Sequence, residues 1–218
     1  MRSAYDGAIA YTDHHLGRIF EALENAGILE NTIVIVTADH GELFGEHGLR
    51  EHYTNLYMPV LHVPLIMAYP PRIPPSARVT RPVSIRDIPA TVLELTFGHP
   101  GPRLPGNSLS WHWSTDMADE TPAAGEDDVA EPLPVLAETR WSEAGQVLDW
   151  EPLARGSMKS LVIGDMHYIL NGDGVEELYD LSVDPEEERD LSGQPQSTAV
   201  LEQARFSLDS ILSRSPAR

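Results

Sequence analysis

The residues best equipped for chemistry stand together: Asp39-His40-Gly41-Glu42, then Glu46, His47 and His52, all within fourteen positions. A carboxylate oxygen from Asp39 and a neutral imidazole nitrogen from His40 are donors that a hard or borderline divalent cation accepts. Gly41 lets the backbone turn away from the pair without a Cβ clash. Spacing alone leaves a second reading open, in which Asp39 caps a following turn and His40 is a solvated loop residue. Glu42, Glu46, His47 and His52 are open in the same way. They either converge on a reacting group or form an exposed acidic loop whose histidines titrate near neutrality.

The elements that must position these residues are legible from periodicity. Thr32 to Thr37 (TIVIVT) is β-branched and apolar on both alternating faces, which predicts a strand covered on both sides in a parallel sheet. Asp39 and His40 then emerge at its C-terminal end, the edge where open α/β sheets bind ligands. Tyr5, Ala8, Ile9, Thr12, Leu16, Ile19, Phe20 and Leu23 recur at helical spacing before Gly27, predicting a helix with one buried face. A polar loop of about 25 residues, long enough to carry function, leads to a second apolar run, Val63 to Ala68. Asp87, with Pro89 in the first turn, opens a further covering helix that ends at Gly98.

From Asp116 to Glu131 there are seven acidic residues and no basic one, with no periodicity, which reads as an acidic linker or insertion. Beyond it, Pro134 to Thr139 reads as a strand. Leu161 to Leu170 and Val175 to Leu181 flank the turn signal Asn171-Gly172-Asp173-Gly174 as a hairpin. Ser197 precedes a C-terminal amphipathic helix through Leu212. The expected class is α/β, with a core over 1–115, the acidic segment 116–131, and an α+β subdomain with an antiparallel sheet over 132–218.

Composition closes several functions. Fifteen basic against thirty-four acidic residues give a net charge of -19, which repels nucleic acid and anionic membrane surfaces. With no cysteine, thiolate zinc sites and cysteine nucleophiles are excluded. No apolar run is long enough for a membrane span, and the first residues carry no export signal; the pattern starts as if in mid-domain. There is no P-loop, dinucleotide fingerprint, nucleophile elbow or HExxH. Asp13-His14-His15 cannot share one ion from a single helix face and is assigned to a polar helix surface. The acid run Asp180 to Asp190 lacks an EF-hand pattern and reads as a solvated turn, with weak calcium binding as the alternative. Trp111-His112-Trp113 is either a sugar-stacking platform or a plug in a seam.

The ordered set Asp13, Gly17-Arg18-Ile19, Gly27-Ile28-Leu29, Asn31-Thr32-Ile33-Val34-Ile35-Val36-Thr37-Ala38-Asp39-His40-Gly41-Glu42, Gly45-Glu46-His47-Gly48, His52 and Val63-Pro64-Leu65-Ile66 resembles the sulfatase family of the alkaline-phosphatase-like superfamily. Ser84 to Gly98 and Glu177-Leu178-Tyr179-Asp180-Leu181 with Asp184-Pro185-Glu186-Glu187 extend the resemblance over nearly the whole chain. It implies a partial mixed sheet covered by helices. It also implies a calcium ion held by Asp39 and His40, with its other carboxylates outside this chain. His52 occupies the place of a basic residue that contacts the sulfate or protonates the departing oxygen. The family's formylglycine nucleophile arises from a C/S-x-P-x-R motif, and no serine here has Pro at +2 and Arg at +4. The resemblance therefore implies the C-terminal half of a sulfatase acting on a small-molecule or carbohydrate sulfate ester, inactive alone and prone to self-association through exposed core surface. A phosphate or phosphonate monoester hydrolase of the same superfamily is the nearest alternative, and a non-catalytic acidic calcium-binding fragment the next.

Overall fold

The structure is a computed structural model that describes residues 2–52, 55–99, 101, 104, 106–113, 133–140 and 151–214. The expected acidic segment 116–131 lies outside them. In chain order the elements are α1 (Arg2–Asn25), β1 (Val34–Thr37), β2 (Leu43–Phe44), β3 (Arg50–Glu51), α2 (Met58–Leu61), β4 (Leu65–Ala68), α3 (Ile88–Phe97), β5 (Val135–Thr139), β6 (Met158–Ile163), β7 (Met166–Leu170), β8 (Glu176–Asp180) and α4 (Thr198–Arg214). They fall into two compact units, one drawn from 1–38, 64–80 and 85–125, the other from 39–63, 81–84 and 126–218.

In the first unit, α1 ends as the sequence predicts. Gly27 takes φ +68, its N–H reaching Glu24 O at 2.9 Å while the Ile28 N–H reaches Leu23 O at 3.1 Å. None of its residues is buried, and Tyr5, Ile9 and Ile19 of the apolar stripe are exposed. β1 pairs antiparallel with β4, from Val34↔Ala68 to Thr37↔Leu65, and its residues are at most half-buried. This corrects the expectation of a parallel neighbour and a doubly covered strand. A β-branched run specifies a pleated, pairable segment but encodes neither the direction of its partner nor what covers it. In α3, Asp87 makes no side-chain cap; its Oδ1 instead accepts the Asn107 N–H at 2.8 Å. The helix closes at Gly98, whose N–H reaches Glu94 O at 2.8 Å. Trp111 is exposed and stacks on His112, ring centroids 3.6 Å apart.

The second unit is built on a four-stranded antiparallel sheet in the order β5-β6-β7-β8. Alternation along the strands gives it two apolar faces. One carries Leu161, Tyr168 and Leu178 and is covered by Leu201, Ala204 and Leu208 of α4. The other carries Met158, Ile169 and Tyr179 and is covered by Leu43, Leu49, Leu56, Tyr57 and Val60. The predicted polar loop therefore covers one of the sheet's two faces. The predicted hairpin is present between β7 and β8, but Leu161 to Leu170 is two strands, turning at Gly164 (φ +58) and Asp165.

α4 is tied to β8 by Arg205, whose Nε donates to Glu176 Oε1 at 2.7 Å and whose Nη2 pairs with Glu176 Oε2; Tyr168 donates its hydroxyl to the same carboxylate at 2.6 Å. The Arg205 hydrogen bonds hold the Glu176 carboxyl below its ordinary value of 4.5. A depressed folded-state value stabilises the fold above the unfolded value and is lost as pH falls through the folded one. Arg205→Ala is therefore expected to lower the melting temperature at pH 7 and to lose most of that effect at a strongly acid pH, once the depressed Glu176 carboxyl is protonated in the folded state. Thermal melts at both pH values check this.

Candidate metal centre

The second unit gathers Asp39, His40, Glu42 and His52 into one cluster. Gly41 makes the approach: its N–H donates to Val60 O at 2.8 Å, and the Glu42 N–H donates to Pro59 O at 3.1 Å. This ladder places the chain against α2, so a Cβ at position 41 would lie 2.0 Å from Pro59 O. Closeness to α2, rather than a left-handed turn, is what requires glycine there.

The His40 ring nitrogen Nδ1 lies 2.9 Å from Gly41 O. A carbonyl only accepts, so Nδ1 carries a proton, and in the neutral ring Nε2 keeps its lone pair. That Nε2 lies 3.7 Å from Asp39 Oδ2, while Asp39 Oδ1 accepts the His40 N–H at 3.1 Å. An oxygen and a nitrogen 3.7 Å apart fit two ligands of one ion at bond lengths of about 2.3 Å. The Nδ1–H bond to a carbonyl is the outer contact that fixes a ligating imidazole. The Asp39 side chain is 89% exposed and open to further ligands or substrate. The two donors fit a divalent cation; among the described residues no third His, Asp or Glu joins them.

His52 stacks on His40, ring centroids 4.0 Å apart at 18°. Its Nδ1 lies 3.0 Å from Glu42 Oε2, with side-chain exposures of only 24% and 19%. A carboxylate acceptor makes Nδ1 the donor, which orients the ring. Glu42, which spacing left open, thus orients His52. His47 does not join the cluster: it stacks on Tyr57 at 3.7 Å and 4°. The Glu46 carboxylate turns back onto the Phe44 N–H. Asp13, His14 and His15 remain on α1, with His15 against Tyr11 at 4.3 Å.

The acid run is more than a solvated turn. Asp184 accepts the Glu188 and Arg189 N–H groups, at 3.1 and 2.9 Å, and Asp190 accepts the Leu178 N–H at 3.0 Å. Glu187 is fully buried, its Oε1 on His167 Nδ1 and its Oε2 on the Met58 N–H at 2.7 Å. Glu177 receives three donors: the Tyr57 hydroxyl at 3.0 Å, the Tyr179 hydroxyl at 2.6 Å and Asn171 Nδ2 at 2.6 Å. Burial, then the Glu177 carboxylate, push both phenols up, so they remain protonated donors. Sequence reading missed this bracing; its only signal was the ELYDL and DPEE residues of the resemblance.

Residues 1–99 match the sulfatase family model. The chain is similar to the sulfatase family. Arylsulfatase K of Mus musculus is 33% identical over 208 residues, covering 93% of this chain and 34% of the relative. The chain thus spans about a third of the length of the curated relatives it matches. Among solved structures, the phosphonate monoester hydrolase of Agrobacterium radiobacter superposes with a TM-score of 0.71 at 23% identity, covering 94% of this chain and 40% of that one. A protein solved with its substrate D-glucosamine-2-N,6-O-disulfate superposes with a TM-score of 0.66 at 22% identity, covering 94% and 39%. These likenesses establish a partial alkaline-phosphatase-like α/β fold for the chain. Sulfatases as a family work with a divalent cation. Among the described residues no helix is long and apolar enough to cross a membrane.

Proposed function

We propose that this chain forms part of a sulfuric ester hydrolase in which Asp39 and His40 hold a calcium ion and His52 serves the leaving group. The observation that carries the reading is the 3.7 Å approach of Asp39 Oδ2 to His40 Nε2, with the His52 ring stacked alongside. A bound calcium ion supplies Lewis-acid polarisation of the oxygens of a tetrahedral anion. Oxygen donors suit calcium, and the exposed Asp39 carboxylate contributes one. His52, oriented by Glu42, delivers a proton to the departing alkoxide or holds charge on an equatorial oxygen. The nucleophile motif is not in these residues, so the 218-residue chain by itself is expected to turn nothing over.

The substrate class that fits is a carbohydrate or other small sulfate ester, supported by the sulfated glucosamine bound by one structural neighbour. A phosphonate monoester is the second reading, favoured by likeness to a phosphonate monoester hydrolase. In an enzyme that contains this chain together with a formylglycine segment, His52→Ala is expected to lower kcat on an aryl sulfate by about 10²–10⁴-fold. Parallel assays on an aryl phosphonate separate the two classes. Faster turnover of the phosphonate, or an unchanged kcat in His52→Ala, contradicts the assignment.

A further inference from the structure

We propose that Glu187 is a positioning residue for the Asp39–His52 segment, acting through the Met58 backbone and α2. Both its carboxylate oxygens are committed: Oε1 to His167 and Oε2 to the Met58 N–H at 2.7 Å. Met58 opens α2, and the next two carbonyls, Pro59 O and Val60 O, accept the Glu42 and Gly41 N–H groups. The Gly41 carbonyl in turn fixes the His40 tautomer. A continuous run of hydrogen bonds and covalent chain thus leads from the buried carboxylate to the metal-ligand pair and to Glu42, which holds His52.

Two features separate this from an ordinary core pair. Glu187 sits at φ +57, a left-handed conformation that most residues avoid, and it is held there with its side chain fully buried. His167 is also fully buried, yet its Nε2 has no hydrogen-bond partner among the described residues. The imidazole is spent on Glu187 alone, and Glu187 spends its second oxygen on Met58. The adjoining Tyr57 is anchored in parallel by Glu177. The DPEE turn and β8 therefore hold the start of α2 at two consecutive residues, Tyr57 and Met58.

The functional weight of this role rests on Asp39 and His40 being cation ligands, but the geometry is testable without that reading. In the 218-residue chain, amide hydrogen exchange reads the Gly41 and Glu42 bonds to α2. Glu187→Ala is expected to lower protection at Gly41 and Glu42 by about tenfold more than at β6 and β7 amides. Glu187→Gln, which keeps an acceptor for the Met58 N–H, is expected to restore most of it. Arg205→Ala, on the other sheet face, is expected to show no selective loss. If Glu187→Ala does not fold, Glu187→Asp carries the test, since the shorter side chain cannot span His167 and Met58 together; a selective loss of several-fold is expected. Uniform loss across the unit, or unchanged Gly41 and Glu42 protection, overturns the proposal. A calcium titration of an enzyme that contains this chain together with the remaining carboxylates distinguishes the two failures: selective loss of exchange protection without calcium shifts at Asp39 or His40 supports positioning and sinks the cation reading alone.

Discussion

Replacing His167 with Phe is expected to destabilise the protein by about 3–5 kcal/mol, the usual cost of leaving one member of a buried pair without its partner. Phe fills a similar volume, so cavity formation contributes little and the loss isolates the polar contact. What remains is the Glu187 carboxylate at 0% exposure with only the Met58 N–H to satisfy it. Because folded domains are stable by only about 5–15 kcal/mol, the effect is a large part of the total. Adding Glu187→Gln to the His167→Phe background should recover part of the loss, because a buried amide costs less than a buried charge. Urea denaturation of the two single variants and the double variant gives the coupling. A loss under about 1 kcal/mol in His167→Phe would show that the pair is not desolvated as the structure has it.

Gly41→Ala is expected to be the most damaging single methyl near the ligand pair. The new Cβ would sit 2.0 Å from Pro59 O and 3.1 Å from the carbonyl carbon behind it, both backbone atoms with no side-chain freedom to yield. Relief requires the 39–42 segment to move off α2, breaking the Gly41–Val60 and Glu42–Pro59 bonds. Overpacking of this kind costs about 1–3 kcal/mol in stability. The larger effect falls on the site, since the Gly41 carbonyl that fixes His40 moves with its residue. Disturbing such an outer contact typically weakens metal affinity about 10–100-fold. Calcium titrations of Gly41→Ala and the unaltered chain measure it, and equal affinities would show that Asp39 and His40 do not depend on the approach to α2.

Long periodic elements were legible from sequence, and so was the chemical character of the ligand pair. α1, α3, α4, β4, β5 and the β7–β8 hairpin follow from helical or alternating apolar spacing and from Gly27, Gly98 and Asn171-Gly172 as stops or turns. The direction of pairing of β1 was not legible, because β4 lies beyond a long loop and the same VIVT run serves either orientation. Nor was the core role of Leu43, Leu49, Leu56 and Val60. They lie on two-residue strands, a one-turn helix and irregular chain, too short for any period to repeat. The turn at Gly164-Asp165 was hidden because apolar residues continue on both sides of it. Asp39, His40 and His52 announced themselves by type, but the stacking of the two imidazoles and the Glu42 contact depend on β2 and β3 folding residues ten apart together. The Glu187–His167 pair was concealed twice, by a separation of twenty residues and by an acidic run that looks solvated.

Calcium-dependent chemical shifts of an enzyme that contains this chain together with the segment carrying the remaining carboxylates test the metal assignment most directly. Saturable shifts centred on Asp39, His40 and Gly41 are expected, abolished by Asp39→Ala and unaffected by Asp184→Asn. Shifts confined to the acid-rich stretches at 116–131 and 180–190, or shifts at His40 that survive Asp39→Ala, would contradict it.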